Sequence, residues 1–181
     1  MKKPAMLLAL AVLLLAACDL TAPPCNDSGV PVLPGGSYTS ELDKLFALTN
    51  EARAHERRCG NVCYHSTGSL TRNSSLDSSA DKHAKDMAHT HTLSHDTPAG
   101  AIYYPANTKP EDRMRAEGYV GHWYGENIAR GQANAAEVIT DWLESPGHCA
   151  NIMNPNFKDI GLGHATDDDG TDYWVQDFGA P

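Results

Sequence analysis

The sequence predicts an α+β layer fold, two to four helices packed about a strand pair or small sheet. Three observations carry this. Apolar residues recur at helical spacing around residues 41–57, 74–92 and 134–143, whereas strand-like runs gather near the end of the chain. The stretch between 96 and 125 is broken by Pro98, Gly100, Pro105 and Pro110, so it reads as long connections. At 181 residues with 41% hydrophobic and 20% charged residues, the composition is that of a globular chain with room for one core. Net charge is −9, falling to −11 once the two lysines of a removable leader are gone. An acidic chain without a basic stripe argues against nucleic acid as a partner.

The leader comes first in the chain. Met1-Lys2-Lys3 precedes an unbroken apolar run from Ala5 to Ala17. As a helix this run spans roughly 20 Å, short of the ~30 Å hydrocarbon core of a bilayer, and it reads as a signal peptide over 1–17. Leu15-Ala16-Ala17-Cys18 resembles the bacterial lipobox, whose cysteine is acylated and becomes the mature N-terminus. Cys18 is therefore the expected lipidation site, and two or three acyl chains hold a protein durably on a membrane. Residues 18–37, with four prolines and three glycines and no period, read as a tether, leaving 38–181 as the domain. The expected location is exported and anchored to the bacterial cell membrane, with inner or outer membrane left open.

The folded elements follow in order. Ser40-Glu41-Leu42-Asp43 is a capping signature, and Leu42, Leu45, Phe46, Leu48 and Ala52 then predict a helix over 41–57, ended by Gly60. Leu76, Ala80, Ala84, Met87, Ala88 and His91 share a stripe over 74–92. Residues 111–117 predict a short helix. Asn134-Ala-Ala-Glu137 is a capping box opening a helix that Ser145-Pro146-Gly147 stops. Strands over 160–165 and 173–178 flank an Asp167-Asp168-Asp169-Gly170 turn, whose acids read as turn chemistry rather than a Ca²⁺ loop. Four cysteines besides Cys18 (Cys25, Cys59, Cys63 and Cys149) allow three disulfide connectivities in an oxidising compartment.

Two segments are pointed in chemistry. Gly125-Glu126-Asn127-Ile128-Ala129 sets one acid in an apolar, small-residue run, so Glu126 is expected to be partly buried and to need a partner. Ser145-Pro146-Gly147-His148 places a histidine just past a helix break. His83, His89, His91 and His95 cluster near the end of the second helix. His91 and His95, four apart, would share a face if that helix extends so far, whereas His83 and His89 read as solvated surface groups. Ser94 beside His95 lacks the Gly-x-Ser-x-Gly elbow of a nucleophile.

Leu93-Ser94-His95, Gly118-Tyr119, Gly125-Glu126-Asn127-Ile128-Ala129, the Trp142-Leu-x-Ser-Pro-Gly-His148 run, Asn151-Ile152-Met153 and Gly161-Leu162-Gly163 occur in this order. The set resembles the CAP superfamily of cysteine-rich secretory, antigen 5 and pathogenesis-related proteins, closest to its bacterial SCP-like branch, over about 41–179. The resemblance implies a three-layer α-β-α sandwich with a small antiparallel sheet and a cleft of two histidines and two glutamates able to bind a divalent metal such as Zn²⁺. Carried over, the site residues are His95, Glu126 and His148, with His95 and His148 as metal ligands. The fourth position departs from the pattern: it falls on Ser145, with Glu144 adjacent and Glu137 further back. Cys59 and Cys149 resemble a pair found together in one SCP-like subgroup, which implies Cys59–Cys149 and Cys25–Cys63. The family has no shared reaction. A binding or envelope-associated module for a lipid, small apolar molecule or cell-wall component is expected, with a metal-assisted hydrolase using His95, Glu126 and His148 as the alternative. A monomer is expected.

Overall fold

The computed structural model describes Cys25, Gly29, residues 31–33 and residues 37–181. The leader, Cys18 and most of the tether lie outside the described residues.

Helix α1 runs Glu41–Arg53, started by the Ser40 hydroxyl, which accepts from the Asp43 N–H. It ends four residues before the expected boundary because Arg57–Cys59 is strand β1, paired antiparallel with β2 (Val62–Tyr64). Gly60 serves this hairpin turn instead, at φ +60 and against Pro146. Arg53, the last residue of α1, is buried. Its guanidinium donates to the carbonyls of Gly68 at 2.8 Å, Ile152 at 2.6 Å and Asn154 at 3.0 Å, filling its donors where water is excluded. Burial pulls its pKa down to about 10, which leaves it charged at neutral pH.

Strand β3 (Thr71–Arg72) leads into α2 (Ser74–Thr90), whose cap is Asn73. His91 closes α2 in the left-handed conformation, φ 50. The helix therefore does not reach His95, and His91 and His95 do not share a helical face. Helix α3 (Pro110–Ala116) follows, then strand β4 (Trp123–Arg130), which periodicity did not reveal. The Asn134 box opens α4 (Ala135–Glu144): Asn134 accepts from the N–H groups of Ala136 and Glu137. Ser145-Pro146-Gly147 ends α4 and also begins α5 (Pro146–Met153), since a proline in the first turn has no intrahelical N–H to lose. Strands β5 (Asp159–Thr166) and β6 (Asp172–Ala180) complete the chain.

The sheet order is β3-β5-β6-β4. β5, β6 and β4 are antiparallel as expected, but the two-residue edge strand β3 runs parallel to β5. Tyr173 and Val175 on β6 and Ile128 on β4 face α2, packing on Ala80, Ala84 and Met87. Trp174, Phe178, Ile160 and Leu162 point the other way, into the main core with α1, α4 and α5. The result is three layers, helices on both faces of the sheet. Gly161 and Gly163 set the spacing on the α2 side, because a Cβ on either would run into the α2 backbone at Leu76 or Ala80. The disulfides are Cys59–Cys149, which ties β1 to α5, and Cys25–Cys63, which ties the tether to β2.

Candidate functional site: an imidazole and carboxylate cleft at the sheet edge

Strand β4 is an edge of the sheet, and Glu126 lies midway along it with its carboxylate 2% exposed. Both oxygens are taken. Oε1 accepts from His95 Nδ1 at 2.7 Å, and Oε2 accepts from the fully buried Arg113 on α3. Arg113 also donates to the carbonyls of His95 at 2.8 Å and Thr108 at 3.0 Å, so one guanidinium holds both the carboxylate and the backbone of its imidazole partner. Burial alone works against the Glu126 charge. The His95 hydrogen bond and the Arg113 charge outweigh it, and the carboxyl titrates below its usual range.

His95, half-exposed on the loop after α2, is held more basic than an ordinary histidine, chiefly by its hydrogen bond to Glu126. With Nδ1–H given to the carboxylate, Nε2 is the nitrogen that remains for a ligand. His148 comes from the first turn of α5 and is less basic than usual, through partial burial and then the nearby charge of His95. Helix α5 is docked on β4 by amides: Asn127 Nδ2 donates to the His148 carbonyl at 3.2 Å, and Asn151 Nδ2 to the Glu126 carbonyl at 3.1 Å and to Asn127 Oδ1 at 2.9 Å. The Gly-Glu-Asn and Pro-Gly-His-x-x-Asn motifs are thus two halves of one joint, and they bring the two imidazoles to the same edge.

Three residues around the site differ from, or were absent from, the sequence reading. His83 is fully buried rather than solvated; its Nε2 donates to the Ser94 carbonyl at 2.9 Å and lies 3.9 Å from Glu126 Oε2. Burial lowers its pKa to about 4, so it is neutral. His89 is exposed, as expected. Arg113, in the short helix expected over 111–117, was not singled out from the sequence and is the buried counterion of the site. Asp177 is the third. It sits on β6 directly opposite Glu126 in the strand register, fully buried, with neither oxygen hydrogen-bonded. Burial, and then the Glu126 charge, push its pKa well above the usual carboxylate range, which favours the protonated form. The signal for it was present: Tyr173, Val175 and Asp177 alternate on one face of a strand whose whole length is apolar enough to be central.

None of the three candidates for the fourth position pairs with the site. Ser145 lies at the α4–α5 junction, Glu144 is exposed, and Glu137 accepts from the Ala133 N–H at 3.0 Å and from Asn134 Nδ2 at 2.7 Å, which commits it to the start of α4. The second carboxyl beside Glu126 comes from β6. Ser94 Oγ donates to the Asp96 carbonyl at 2.7 Å, in keeping with its dismissal as a nucleophile.

Among the described residues, His95, Glu126 and His148 do not form a cluster of three metal-competent groups within reach of one another. Glu126, the carboxylate of the three, is 2% exposed and already paired with Arg113 and His95, whereas catalytic zinc sites use three protein ligands. Among the described residues, the cluster of three metal-competent groups within reach of one another is His91, Asp168 and Asp169, all exposed. Beside it, Asp167 accepts from His91 Nδ1 at 3.1 Å and from the N–H groups of Asp169 and Thr171 at 3.1 and 2.8 Å, the turn chemistry that the Asp-Asp-Asp-Gly run implies.

Comparison with known proteins agrees with this fold. The uncharacterised protein YkwD of Bacillus subtilis is 35% identical over 103 residues, covering 57% of this chain; the chain spans only 36% of that relative's length. An extracellular protein containing an SCP domain from Bacillus anthracis superposes with a TM-score of 0.62 at 24% identity, over 81% of this chain and 45% of that one. An outer surface protein of Borrelia burgdorferi gives the same TM-score at 20% identity, over 80% of this chain and 96% of that one. These structures share the fold. No helix among the described residues is long and apolar enough to cross a membrane. Residues 46–178, which hold His95, Arg113, Glu126, His148 and Asp177, match the family model described as the cysteine-rich secretory protein family, and the chain belongs to that family, CAP.

Proposed function

We propose that this is an exported domain, lipid-anchored through Cys18 to the bacterial cell envelope, that binds a ligand at the β4 edge between His95 and His148. One observation supports binding over hydrolysis: both oxygens of Glu126 are occupied. At 2% exposure and paired with Arg113 and His95, this carboxylate is shielded from water; it orients His95, holds that imidazole more basic than usual and leaves its Nε2 for a ligand. The complementary ligand presents a carboxylate or phosphate acceptor, as acidic cell-wall fragments and lipid headgroups do. Calorimetry with muropeptide fragments and with short-chain phospholipids tests this. Binding to either, weakened about tenfold or more in His95→Ala, supports the reading, since a hydrogen bond to a charged group is worth about 1.5–3 kcal/mol. No binding to either class overturns it.

A second reading, metal-assisted hydrolysis, draws on the same hydrogen bond. A carboxylate that takes Nδ1–H fixes the tautomer that exposes Nε2, as second-sphere carboxylates do for metal-bound histidines. His95 and His148 would hold the ion, which would supply Lewis acidity, and Glu126 would stay behind as the orienting base of His95. Thermal melts with Zn²⁺ decide it: stabilisation in wild type that disappears in His95→Ala and His148→Ala supports this reading, and no metal-linked shift removes it.

A further inference from the structure

The Cys25–Cys63 disulfide fastens the tether to the domain at one place, the β1–β2 hairpin. The Gly29 carbonyl accepts from Arg57 Nη2 of the same hairpin at 2.6 Å, and Leu33 then packs on the main core. What remains of the tether before its first fixed point is the stretch from Cys18 to Cys25. Seven residues reach at most about 25 Å when fully extended. A domain of this size has a radius of gyration of about 15 Å, hence is about 40 Å across. A leash shorter than the body it holds restricts how that body faces its anchor.

We infer that the β1–β2 hairpin is the membrane-facing surface of the domain, held against the phospholipid bilayer that carries the Cys18 lipid; this rests on the anchor in the function proposed above. The hairpin tip suits the position. Gly60, Asn61 and Val62 are exposed, Val62 by 54%, with Arg58 and His65 exposed beside them. His65 is paired there with Glu56 at 2.9 Å. The second disulfide extends the attachment: Cys59 of the same hairpin is bonded to Cys149, next to His148, which links the lipid through two bridges to the helix that carries His148.

The test uses the full chain, expressed with its leader in a bacterial host, with a photo-crosslinking amino acid at position Val62 or at Val120. Val120 is 85% exposed and follows α3, in the opposite helical layer. The expected result is phospholipid adducts at Val62 about fivefold or more above Val120, because a short leash raises the local concentration of the fastened end at the bilayer. A Gly/Ser insert of about twenty residues between Cys18 and Cys25, which leaves both disulfides intact, is expected to bring the ratio close to one. The Cys25→Ser/Cys63→Ser variant is expected to move it the same way. Equal labelling at both positions, or a ratio that the insert leaves unchanged, overturns the inference. The mass of the N-terminal peptide separates the two claims: Cys18 without acyl chains overturns the anchor itself and this inference with it, whereas an acylated Cys18 with equal labelling overturns the orientation alone.

Discussion

Glu126 is the residue on which the site turns, because two elements are held to it by charge. Arg113 and Glu126 are both buried, so removing one partner leaves the other uncompensated, which typically costs about 3–5 kcal/mol. Glu126→Gln is therefore expected to lower the melting temperature clearly. It is also expected to lower the His95 pKa, since the Glu126 hydrogen bond is the main cause of its elevation; both are measurable by calorimetry and by NMR titration of the imidazole. Raised in the fold, the His95 contribution is complete below the unfolded histidine value and is lost as pH rises through the folded one. Asp177 follows the opposite logic for an acid. Its pKa is raised, so the folded state keeps a proton that the unfolded state releases above about 3.9, and stability falls as pH climbs from there toward the folded value. Asp177→Asn retains the shape without that proton linkage. It is expected to stabilise the domain by about 1–3 kcal/mol at pH 7, and the gain should vanish near pH 3.5. Melting curves of both proteins across that range check it; a destabilised Asn variant at pH 7 would show that the Asp177 charge is structural.

At the scale of elements, the close stacking of α2 on β5 carries the site, because α2 supplies His83 and the loop that ends in His95. Gly163→Ala places a methyl group against the Ala80 carbonyl, and backbone does not step aside as a side chain does. Overpacking of this kind costs about 1–3 kcal/mol or more, and the variant is expected to unfold earlier in urea with an unchanged slope. The Gly-Leu-Gly segment was legible as a motif, but its reason was not, since only the fold shows what lies above it. The same division runs through the other elements. Caps and helical stripes made α1, α2 and α4 readable, because Ser40, Asn134 and the apolar spacing act locally. Strand β4 was unreadable by periodicity: its α2-facing side holds Tyr124, Glu126 and Ile128, and the other holds Gly125, Asn127 and Ala129, so neither face is uniformly apolar. That mixture exists because the strand serves the cleft. Helix α5 was hidden by Pro146 and Gly147, which read as a stop and are here also a start. His95, Glu126 and His148 were legible from their motifs, while Arg113, His83 and Asp177 depend on strand register and helix packing that only the three layers create.

For the whole molecule, the two disulfides act on different problems. Cys59–Cys149 closes 90 residues of sequence and joins β1, outside the main sheet, to α5, so it restrains most of the domain in the unfolded chain. Cys25–Cys63 closes 38 residues, nearly all of them from the tether through α1 to the hairpin, and leaves α2, the sheet and the cleft outside its loop. Loop-closure entropy grows only with the logarithm of length, so the two bridges differ little in their unfolded-state contribution. Their native-state consequences differ sharply. Loss of Cys59–Cys149 frees the helix that carries His148 from the hairpin, whereas loss of Cys25–Cys63 frees only the tether. Cys59→Ser/Cys149→Ser is expected to cost about 2–5 kcal/mol and, in addition, to weaken ligand binding at the β4 edge by loosening α5. Cys25→Ser/Cys63→Ser is expected to cost stability in the same range while leaving affinity for that ligand within about twofold of wild type. Calorimetric melts and binding isotherms of the two double variants side by side decide this: equal losses of affinity would mean that the tether braces the cleft, and the division of labour between the bridges would fall.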